Sequence, residues 1–277
     1  MQHLEGEYKG EGGVRIWWQA WRPDAARAVL AIAHGLGEHS GRYGNVVEHV
    51  VPQGYAVYAL DHRGHGRSGG TRGHIDRFTQ YTADLHRMIE LAREAEHGLP
   101  VFLLGHSLGG TIALQYALER PQGLAGLIVS SPALGQRFPV PAGKLLLARA
   151  MSHLAPAFCQ HSGLPAAGLS HDPRVGAAYV ADPLVHDLVS ARFFTEMMAS
   201  IQTILARAGE IKLPFLLLMS DDDPIVDSPA MRRLYESVAA ADKTKREYVG
   251  FYHEGFNEIE RARPLGDLLA WLDARVH

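Results

Sequence analysis

Residues 101–110 read VFLLGHSLGG, a run of apolar residues that leads directly into a serine with a glycine two positions away on each side. A helical pattern starts directly after the serine. In parallel sheets, the groups that bind ligands collect where strands end. A sharp strand-to-helix turn crowds the backbone, and glycine at 105 and 109 removes the side chains that would clash. The stretch therefore predicts that the Ser107 hydroxyl is lifted clear of a sheet edge as a nucleophile. The plainer alternative is a glycine-rich helix start with Ser107 as its N-cap.

Outward from this stretch, short apolar runs alternate with longer helical patterns. Strands are predicted at Val14–Trp21, Ala28–Ala33, Tyr55–Leu60, Pro100–Leu104, Leu124–Ser130, Pro214–Met219 and Lys245–Val249. Helices are predicted at Tyr43–Val51, Phe78–Glu96, Leu108–Glu119, Met231–Ala239 and Leu265–Val276. This alternation favours an α/β fold with a mostly parallel central sheet and helices on both faces.

One region interrupts the alternation. Between Ser130 and Pro214 no buried strand is evident, and helical spacing is confined to Lys144–Leu154 and Ser190–Ala208. A stretch of this length is too long for a simple loop in a compact domain. We therefore expect a helical cap insertion at 134–208, which divides the core into residues 1–133 and 209–277.

Composition excludes several classes of protein. The 277 residues carry a formal net charge of −3, which gives no electrostatic footprint for nucleic acid. Cys159 is the single cysteine, so an internal disulfide is excluded and a reducing compartment is favoured. No apolar stretch approaches the length that spans a bilayer, and the N-terminal residues lack the order of a signal peptide. These features predict a cytoplasmic protein.

A nucleophilic serine needs a base and an acid that orients the base. In this kind of fold the chain order is serine, acid, histidine. The stretch FLLLMSDDDPIVD supplies four candidate acids, Asp221, Asp222, Asp223 and Asp227. Among sixteen histidines, His253 in REYVGFYHEGFNE lies after the last predicted strand, where the base belongs. No H-E-x-x-H or paired Cys/His pattern occurs, so neither a metal nor a cofactor is expected.

The oxyanion of an ester transition state needs two N–H donors. One is expected from Leu108, the residue after the serine, and the other from the loop AIAHGLGEHSGRY after an earlier strand. In that loop the Leu36 N–H is the natural donor, and His34 is expected to hold the loop by hydrogen bonding.

Six motifs together resemble one known family. HGLGEHSGRY, DHRGHGRSGG, GHSLGG, DPLV, DDPIVD and YHEGFNE, in this order, are similar to the monoacylglycerol lipase and lysophospholipase group of α/β-hydrolases, which is grouped with serine aminopeptidase-like hydrolases. The resemblance covers about residues 8–275 and is weakest in 134–208. It implies an α/β-hydrolase fold whose cap covers an acyl-chain tunnel.

The resemblance also implies the site residues. Ser107 matches the nucleophile, His253 the base, and Leu36 and Leu108 the oxyanion donors. The first aspartate of D-P-I-V-D matches the family acid and selects Asp223 from the cluster. The family often has glycine three residues before that acid, where this chain has Ser220. The turn at 61–68, DHRGHGRS, is interpreted as structural.

These observations predict a serine carboxylester hydrolase that cleaves monoacylglycerol to fatty acid and glycerol through an acyl-enzyme. The alternatives are a lysophospholipase, a general short-chain carboxylesterase, a serine aminopeptidase, or an inactive hydrolase fold that serves as a binding protein. An aminopeptidase should hold an acidic cluster near the substrate amine, and the acids of the insertion are scattered. Acyl-chain length and oligomeric state stay open.

The insertion carries more apolar surface than one helix stripe needs for docking. The stretches FPVP at 138–141 and KLLLARAMSHL at 144–154 contain it. In one interpretation all of it packs inside the cap. In the other, part of it faces solvent at a tunnel mouth and contacts the membrane or micelle that carries the lipid ester.

Overall fold

The computed structural model describes residues 1–135 and 142–276, apart from the side chains of Ala142 and Lys144. The FPVP segment at 138–141, which is expected to contribute apolar surface to the insertion, therefore lies outside the described residues. The strands are β1 (Gln2–Lys9), β2 (Arg15–Arg22), β3 (Ala28–Ala33), β4 (Tyr55–Leu60), β5 (Val101–His106), β6 (Gly126–Ser130), β7 (Cys159–His161), β8 (Leu188–Ser190), β9 (Phe215–Ser220) and β10 (Lys243–Tyr248). The helices are α1 (Gly44–Val50), α2 (Thr79–Ala95), α3 (Leu108–Glu119), α4 (Ala142–Leu154), α5 (Pro173–Ala181), α6 (Ala191–Arg207), α7 (Ser228–Ser237) and α8 (Ala262–Asp273).

Eight strands form one sheet in the order β1-β2-β4-β3-β5-β6-β9-β10. Only β2 runs against its neighbours within the described sheet, and all pairs from β4 to β10 are parallel. The central strands are buried on both faces, as expected for near-continuous apolar runs between layers of helices. The predicted mostly parallel sheet is therefore present.

Alternate residues of each central strand belong to two core layers. In β3, Ala28, Leu30 and Ile32 pack in the layer that contains α1 and α8. Val29, Ala31 and Ala33 pack in the layer that contains α2, α3 and α7. Every residue of α3 from Leu108 to Ala117 is buried, because α6 covers the side of α3 that faces away from the sheet.

The region between β6 and β9 contains more than the helices expected from sequence. Besides α4 and α6, it holds α5 and a small antiparallel pair of strands, β7 and β8. Both strands have only three residues, and most of their side chains are partly exposed. Segments this short and this solvated leave no alternating pattern for sequence analysis to detect.

Strand β1 was also not predicted. Its sequence, QHLEGEYK, is mostly polar, and its residues are half-buried or exposed throughout. Pairing with β2 along its full length holds it at the sheet edge. Main-chain hydrogen bonds therefore stabilise this strand, and they are not encoded in a hydrophobic pattern.

The turn at 61–68 is built around a buried carboxylate. Asp61 Oδ1 accepts hydrogen bonds from the N–H and hydroxyl of Ser40 at 2.9 and 2.6 Å, and Oδ2 accepts one from Arg67 N at 2.7 Å. Asp61 thus joins the end of β4 to the chain after β3.

No helix in the described part of the chain is long and apolar enough to span a membrane.

Candidate active site

Ser107 occupies a strained turn between β5 and α3. Its φ of 53° and ψ of −117° lie where non-glycine residues are rare. A Cβ at position 105 would lie 2.2 Å from Gly109 O, and one at position 109 would lie 1.9 Å from Ala33 O. The two glycines therefore let α3 start against β3 and β5, and this contact holds Ser107 in its conformation.

The N-cap alternative does not describe this serine. Ser107 stands at the N-cap position of α3, yet its hydroxyl makes no capping hydrogen bond. Ser107 Oγ instead lies 2.9 Å from Nε2 of His253. The hydroxyl is thus directed across the sheet edge toward the loop after β10.

His253 is held from its other side by a carboxylate. Its Nδ1 lies 2.7 Å from Asp223 Oδ2, while Asp223 Oδ1 accepts hydrogen bonds from the N–H groups of Ile225 and Val226 at 2.8 and 3.1 Å. Since a carboxylate only accepts, Nδ1 carries the ring proton and Nε2 is free to accept one from Ser107. The three side chains form a continuous hydrogen-bonded chain, and all three are buried.

Burial and charge act in opposite directions on this pair. Burial alone would lower the pKa of His253, but the charge of Asp223 and the hydrogen bond to it, together with Glu254 and Glu38, raise that pKa above its ordinary value. Burial would raise the pKa of Asp223, but His253 and the two backbone N–H donors lower it. The arrangement therefore favours an ionised Asp223 and stabilises positive charge on the imidazole.

The other candidate aspartates lie elsewhere. Asp221 pairs with Arg232 and is half-buried, and Asp222 is exposed. Asp227 Oδ2 accepts a hydrogen bond from Arg233 at 3.2 Å. Asp223 is the candidate that the structure places against His253.

The residues expected to supply the oxyanion donors both lie beside Ser107. Leu36 lies in the loop after β3, and Leu108 is the first residue of α3. Both line the cavity that contains Ser107. Among the hydrogen bonds of the described residues, neither the Leu36 N–H nor the Leu108 N–H donates to another backbone group. Nearby His34 is buried, and its Nδ1 and Nε2 bond to Gly35 O and His62 N, as expected for a residue that holds this loop.

An apolar cavity of about 110 Å³ opens beside Ser107. Helix α6 contributes five of its fifteen lining residues, Phe193, Phe194, Met197, Met198 and Ile201. The other apolar side chains of the lining are Leu36, Leu108, Ala133, Leu164, Val189, Ile225 and Val226. A cavity with this lining is suited to a hydrocarbon chain.

A second, more polar pocket meets the same serine; Glu38, Arg42, His106 and Glu254 lie on its polar side, and the apolar part of its lining includes Leu164, Pro165, Ala166 and Leu169. Arg42 donates to both oxygens of Glu254 at 2.6 and 2.8 Å and to Glu38 Oε2 at 2.8 Å. His106 Nδ1 lies 3.1 Å from Ser130 O, and burial lowers the pKa of His106 to about 4, so this ring is neutral.

Sequence analysis did not assign any role to these four polar residues. Glu38 and Arg42 belong to HGLGEHSGRY, and Glu254 directly follows His253 in YHEGFNE, so all three lie inside motifs that carry the family resemblance. The sequence feature that could have identified them is the presence of charged residues within glycine-rich loops at the edge of the sheet where Ser107 lies. In the described part of the chain, no group of three or more His, Cys, Asp or Glu side chains is arranged to hold a metal ion.

The mostly parallel sheet and the strained serine after β5, which faces a histidine and an aspartate, define an α/β-hydrolase. The family described as serine aminopeptidase, S33, matches residues 24–260, and the chain belongs to this family.

Three similar proteins support the assignment. The monoacylglycerol lipase of Mycolicibacterium smegmatis is 36% identical over 97% of this chain and 96% of its own length. Phospholipase YtpA of Bacillus subtilis is 35% identical over 87% and 93%, respectively. The crystal structure of Paleococcus ferrophilus monoacylglycerol lipase has a TM-score of 0.84 and 33% identity, covering 99% of this chain and 100% of that one. These matches confirm the resemblance and the α/β-hydrolase fold that the motifs predict.

The glycine at 109 provides a test of the turn. In the variant Gly109→Ala the added Cβ would lie 1.9 Å from Ala33 O, so α3 must move away from β3. We expect the free energy of unfolding to fall by about 1–3 kcal/mol, as in overpacked cores, and esterase activity to fall with it. Gly266→Ala in α8 is the matched control, because open space surrounds that position and alanine stabilises a helix by about 0.5–1 kcal/mol. Equal unfolding free energies in urea for the two variants would contradict the role given to Gly109.

Proposed function

We propose that this chain is a serine carboxylester hydrolase that cleaves monoacylglycerol to free fatty acid and glycerol. The observation that carries the proposal is the hydrogen-bonded chain Ser107–His253–Asp223 at the junction of an apolar cavity and a polar pocket. A monoacylglycerol has the same division, with its ester group between a hydrocarbon chain and a neutral polyol. Such a substrate places its carbonyl at Ser107 when each half occupies the pocket of matching polarity.

The proposed reaction proceeds in two halves. Ser107 Oγ attacks the ester carbonyl while His253 Nε2 takes its proton, and Asp223 stabilises the imidazolium that forms. The Leu36 and Leu108 N–H groups hold the oxyanion. His253 then returns the proton to the glycerol oxygen, which leaves. Water attacks the acyl-enzyme by the same route and releases the fatty acid.

The charge of the polar pocket favours a neutral head group. Glu38 and Glu254 together carry two negative charges, and Arg42 supplies one positive charge between them. The net charge of −1 beside the reacting ester repels the phosphate of a lysophospholipid. The paired carboxylates and the neutral His106 ring supply hydrogen-bonding groups for hydroxyls.

Two alternative substrates belong to the same chemistry. The similarity to phospholipase YtpA favours a lysophospholipid ester as the second candidate. An aminopeptidase needs carboxylates that are free to bind the substrate amine, whereas Glu38 and Glu254 are both engaged by Arg42. The ester reaction on a neutral head group is therefore the function that this site supports best.

We also propose that residues 134–208 act as a cap that contacts the lipid surface. Helix α4 packs on α6, whose side chains line the apolar cavity. On α4, the side chains of Leu146, Leu147 and Leu154 are 70%, 62% and 82% exposed, respectively. The sequence of α4, AGKLLLARAMSHL, contains no acidic residue. Exposed leucines beside basic residues are typical of a helix that lies in a membrane interface.

The nucleophile is tested by Ser107→Ala. We expect kcat on monoacylglycerol to fall by about 10⁴-fold or more with the melting temperature retained, because the members of such a triad act as a unit. A fluorophosphonate should label the wild-type protein at Ser107, and peptide mapping identifies the residue. A label on Ser130 or Ser228 would refute the assignment.

The substrate class is tested by assaying the wild-type protein with a panel of esters and one amide. Monoacylglycerols of rising chain length, lysophosphatidylcholine, diacylglycerol, a short-chain ester and a proline amide are compared by kcat/KM. The proposal expects kcat/KM to rise with acyl length, since each buried CH₂ contributes about 0.8 kcal/mol, until the cavity is filled. If kcat/KM is higher on lysophosphatidylcholine or on the amide than on any monoacylglycerol, the proposed substrate class is wrong.

The role of Asp223 is tested by rate and by pH. Asp223→Asn should lower kcat by about 10⁴-fold, because the asparagine no longer holds the required tautomer, whereas the exposed Asp222→Asn should leave it nearly unchanged. His253 must be neutral to act as a base, and its pKa is raised. Wild-type kcat/KM should therefore fall with decreasing pH at values above the ordinary pKa of histidine, about 6.5. Equal losses in the two variants would show that the acid is misassigned.

The exposed leucines of α4 provide the test of surface contact. Leu146→Ser and Leu147→Ser should leave the melting temperature nearly unchanged, since both side chains are mostly exposed. Activity on vesicles of long-chain monoacylglycerol should fall, while activity on a soluble short-chain ester is retained. Val249→Ser, 76% exposed and outside the cap, is the matched control and should affect neither activity. If the leucine variants instead lower stability and both activities together, these side chains belong to the cap core.

A further inference from the structure

The loop that carries His253 is hydrogen-bonded to the insertion. His253 N donates to Gly168 O at 3.3 Å, and Glu254 N donates to Leu169 O at 2.8 Å. Both acceptors lie just before α5, in a segment whose residues Ala166 and Leu169 also line the pocket beside Ser107. The backbone of the proposed base therefore rests on the same segment that forms part of the substrate pocket.

A buried carboxylate joins these two segments. Glu258 is 2% exposed, and its Oε1 accepts hydrogen bonds from Tyr252 N at 2.8 Å and His171 Nδ1 at 2.9 Å. Its Oε2 accepts from His171 N at 3.2 Å and Ile259 N at 3.1 Å, and it lies 3.3 Å from Ser170 Oγ, which also donates to Asn257 O at 3.0 Å. Tyr252 precedes His253 directly, whereas Ser170 and His171 belong to the insertion. One carboxylate thus receives donors from both sides of the joint.

The joint is reinforced by its charge and by a ring contact. Burial would raise the pKa of Glu258, but the hydrogen bonds from Tyr252, His171 and Ile259 lower it, so the carboxylate stays ionised. The His171 ring stacks on the Tyr252 ring with centroids 3.7 Å apart. Hydrogen bonds to a charged acceptor are stronger than neutral ones. Movement of either segment relative to the other must therefore break several such contacts.

We infer that Glu258 is a positioning residue, which sets the place of His253 relative to Ser107 by locking the histidine loop to residues 168–171. The inference rests on the proposed function, because it assigns Glu258 a task in the same ester hydrolysis. Glu258 lies behind the site, and the described residues that line the two pockets at Ser107 do not include it. It acts through the N–H of Tyr252, one residue from the base, and has no contact with the reacting atoms.

The variant Glu258→Gln tests this role. An amide has one acceptor oxygen, so its NH₂ group must face N–H donors of Tyr252, His171 or Ile259, and the joint loosens. A misplacement of about 1 Å at a catalytic group costs on the order of 100-fold in rate, so we expect kcat on a soluble short-chain ester to fall roughly 10–100-fold. KM should stay within about twofold, because the groups that bind the substrate are retained.

Two further measurements separate positioning from a general loss of stability. The rate at which a fluorophosphonate labels Ser107 should fall by the same factor as kcat, since both need the aligned base. The downfield proton resonance of the His253–Asp223 hydrogen bond should weaken or shift in the NMR spectrum. Both are measured at a temperature where the variant is folded, as judged by its melting curve.

Two other variants complete the design. Glu260→Gln removes the same charge from the same segment, but Glu260 is exposed and pairs with Arg263, so no measurement should change. His171→Phe keeps a ring over Tyr252 and removes the Nδ1 bond to Glu258. Because His171 is exposed, this variant should fold normally and show a smaller loss of kcat than Glu258→Gln.

The inference is overturned if Glu258→Gln lowers only the melting temperature, while kcat, labelling rate and the imidazole resonance of the folded protein match those of Glu260→Gln. It is also overturned if His171→Phe equals the wild type in kcat and labelling. Labelling of Ser107 does not depend on which ester is the substrate. A wild-type protein that is labelled yet hydrolyses none of the esters would refute the proposed function, and the labelling rates would still decide the role of Glu258.

Discussion

The close approach of α3 to the sheet is the constraint on which the rest of this structure depends. Ser107 keeps a positive φ only because the helix starts in contact with the carbonyl of Ala33, and glycine at 109 makes that contact possible. The same contact places the first N–H groups of α3 beside the loop after β3, where Leu36 lies. Strain at one residue is thus maintained by burial of an entire helix. The position of Ser107 therefore follows from the packing of the core.

Much of the core could be predicted from sequence because its strands are continuous apolar runs bounded by turn residues. The family and the α/β-hydrolase fold predicted from the motifs are confirmed by the comparisons. The structure places Ser107, Asp223 and His253 together, while their catalytic roles stay predictions for activity assays. Selection of Asp223 depended on the resemblance, because three consecutive aspartates have equal local patterns. What distinguishes Asp223 is its burial beside a histidine thirty positions away.

The parts that sequence analysis did not foresee share one property: they depend on partners far apart in the chain. Arg42 and Glu254 are 212 residues apart, and His171 and Glu258 are 87 residues apart. Neither pair produces a periodic signal, because each member lies outside the α-helices and strands. Strand β1 was missed for a related reason, since its pairing with β2 is made by the backbone and its side chains are mostly polar. Long-range pairing of polar groups is visible only in three dimensions.

The hydrogen bonds from the histidine loop to Gly168 and Leu169 bear on how this enzyme fold diversifies. An insertion that met the core only at its two ends would be a module, exchangeable among relatives to change specificity without disturbing catalysis. Here a middle segment of the insertion is hydrogen-bonded to the loop that carries His253. Recombination that replaces the whole of 134–208 would carry away part of that support. A chimera that retains 166–172 from this chain, and exchanges only the flanking helices, preserves the joint and still offers a new substrate pocket.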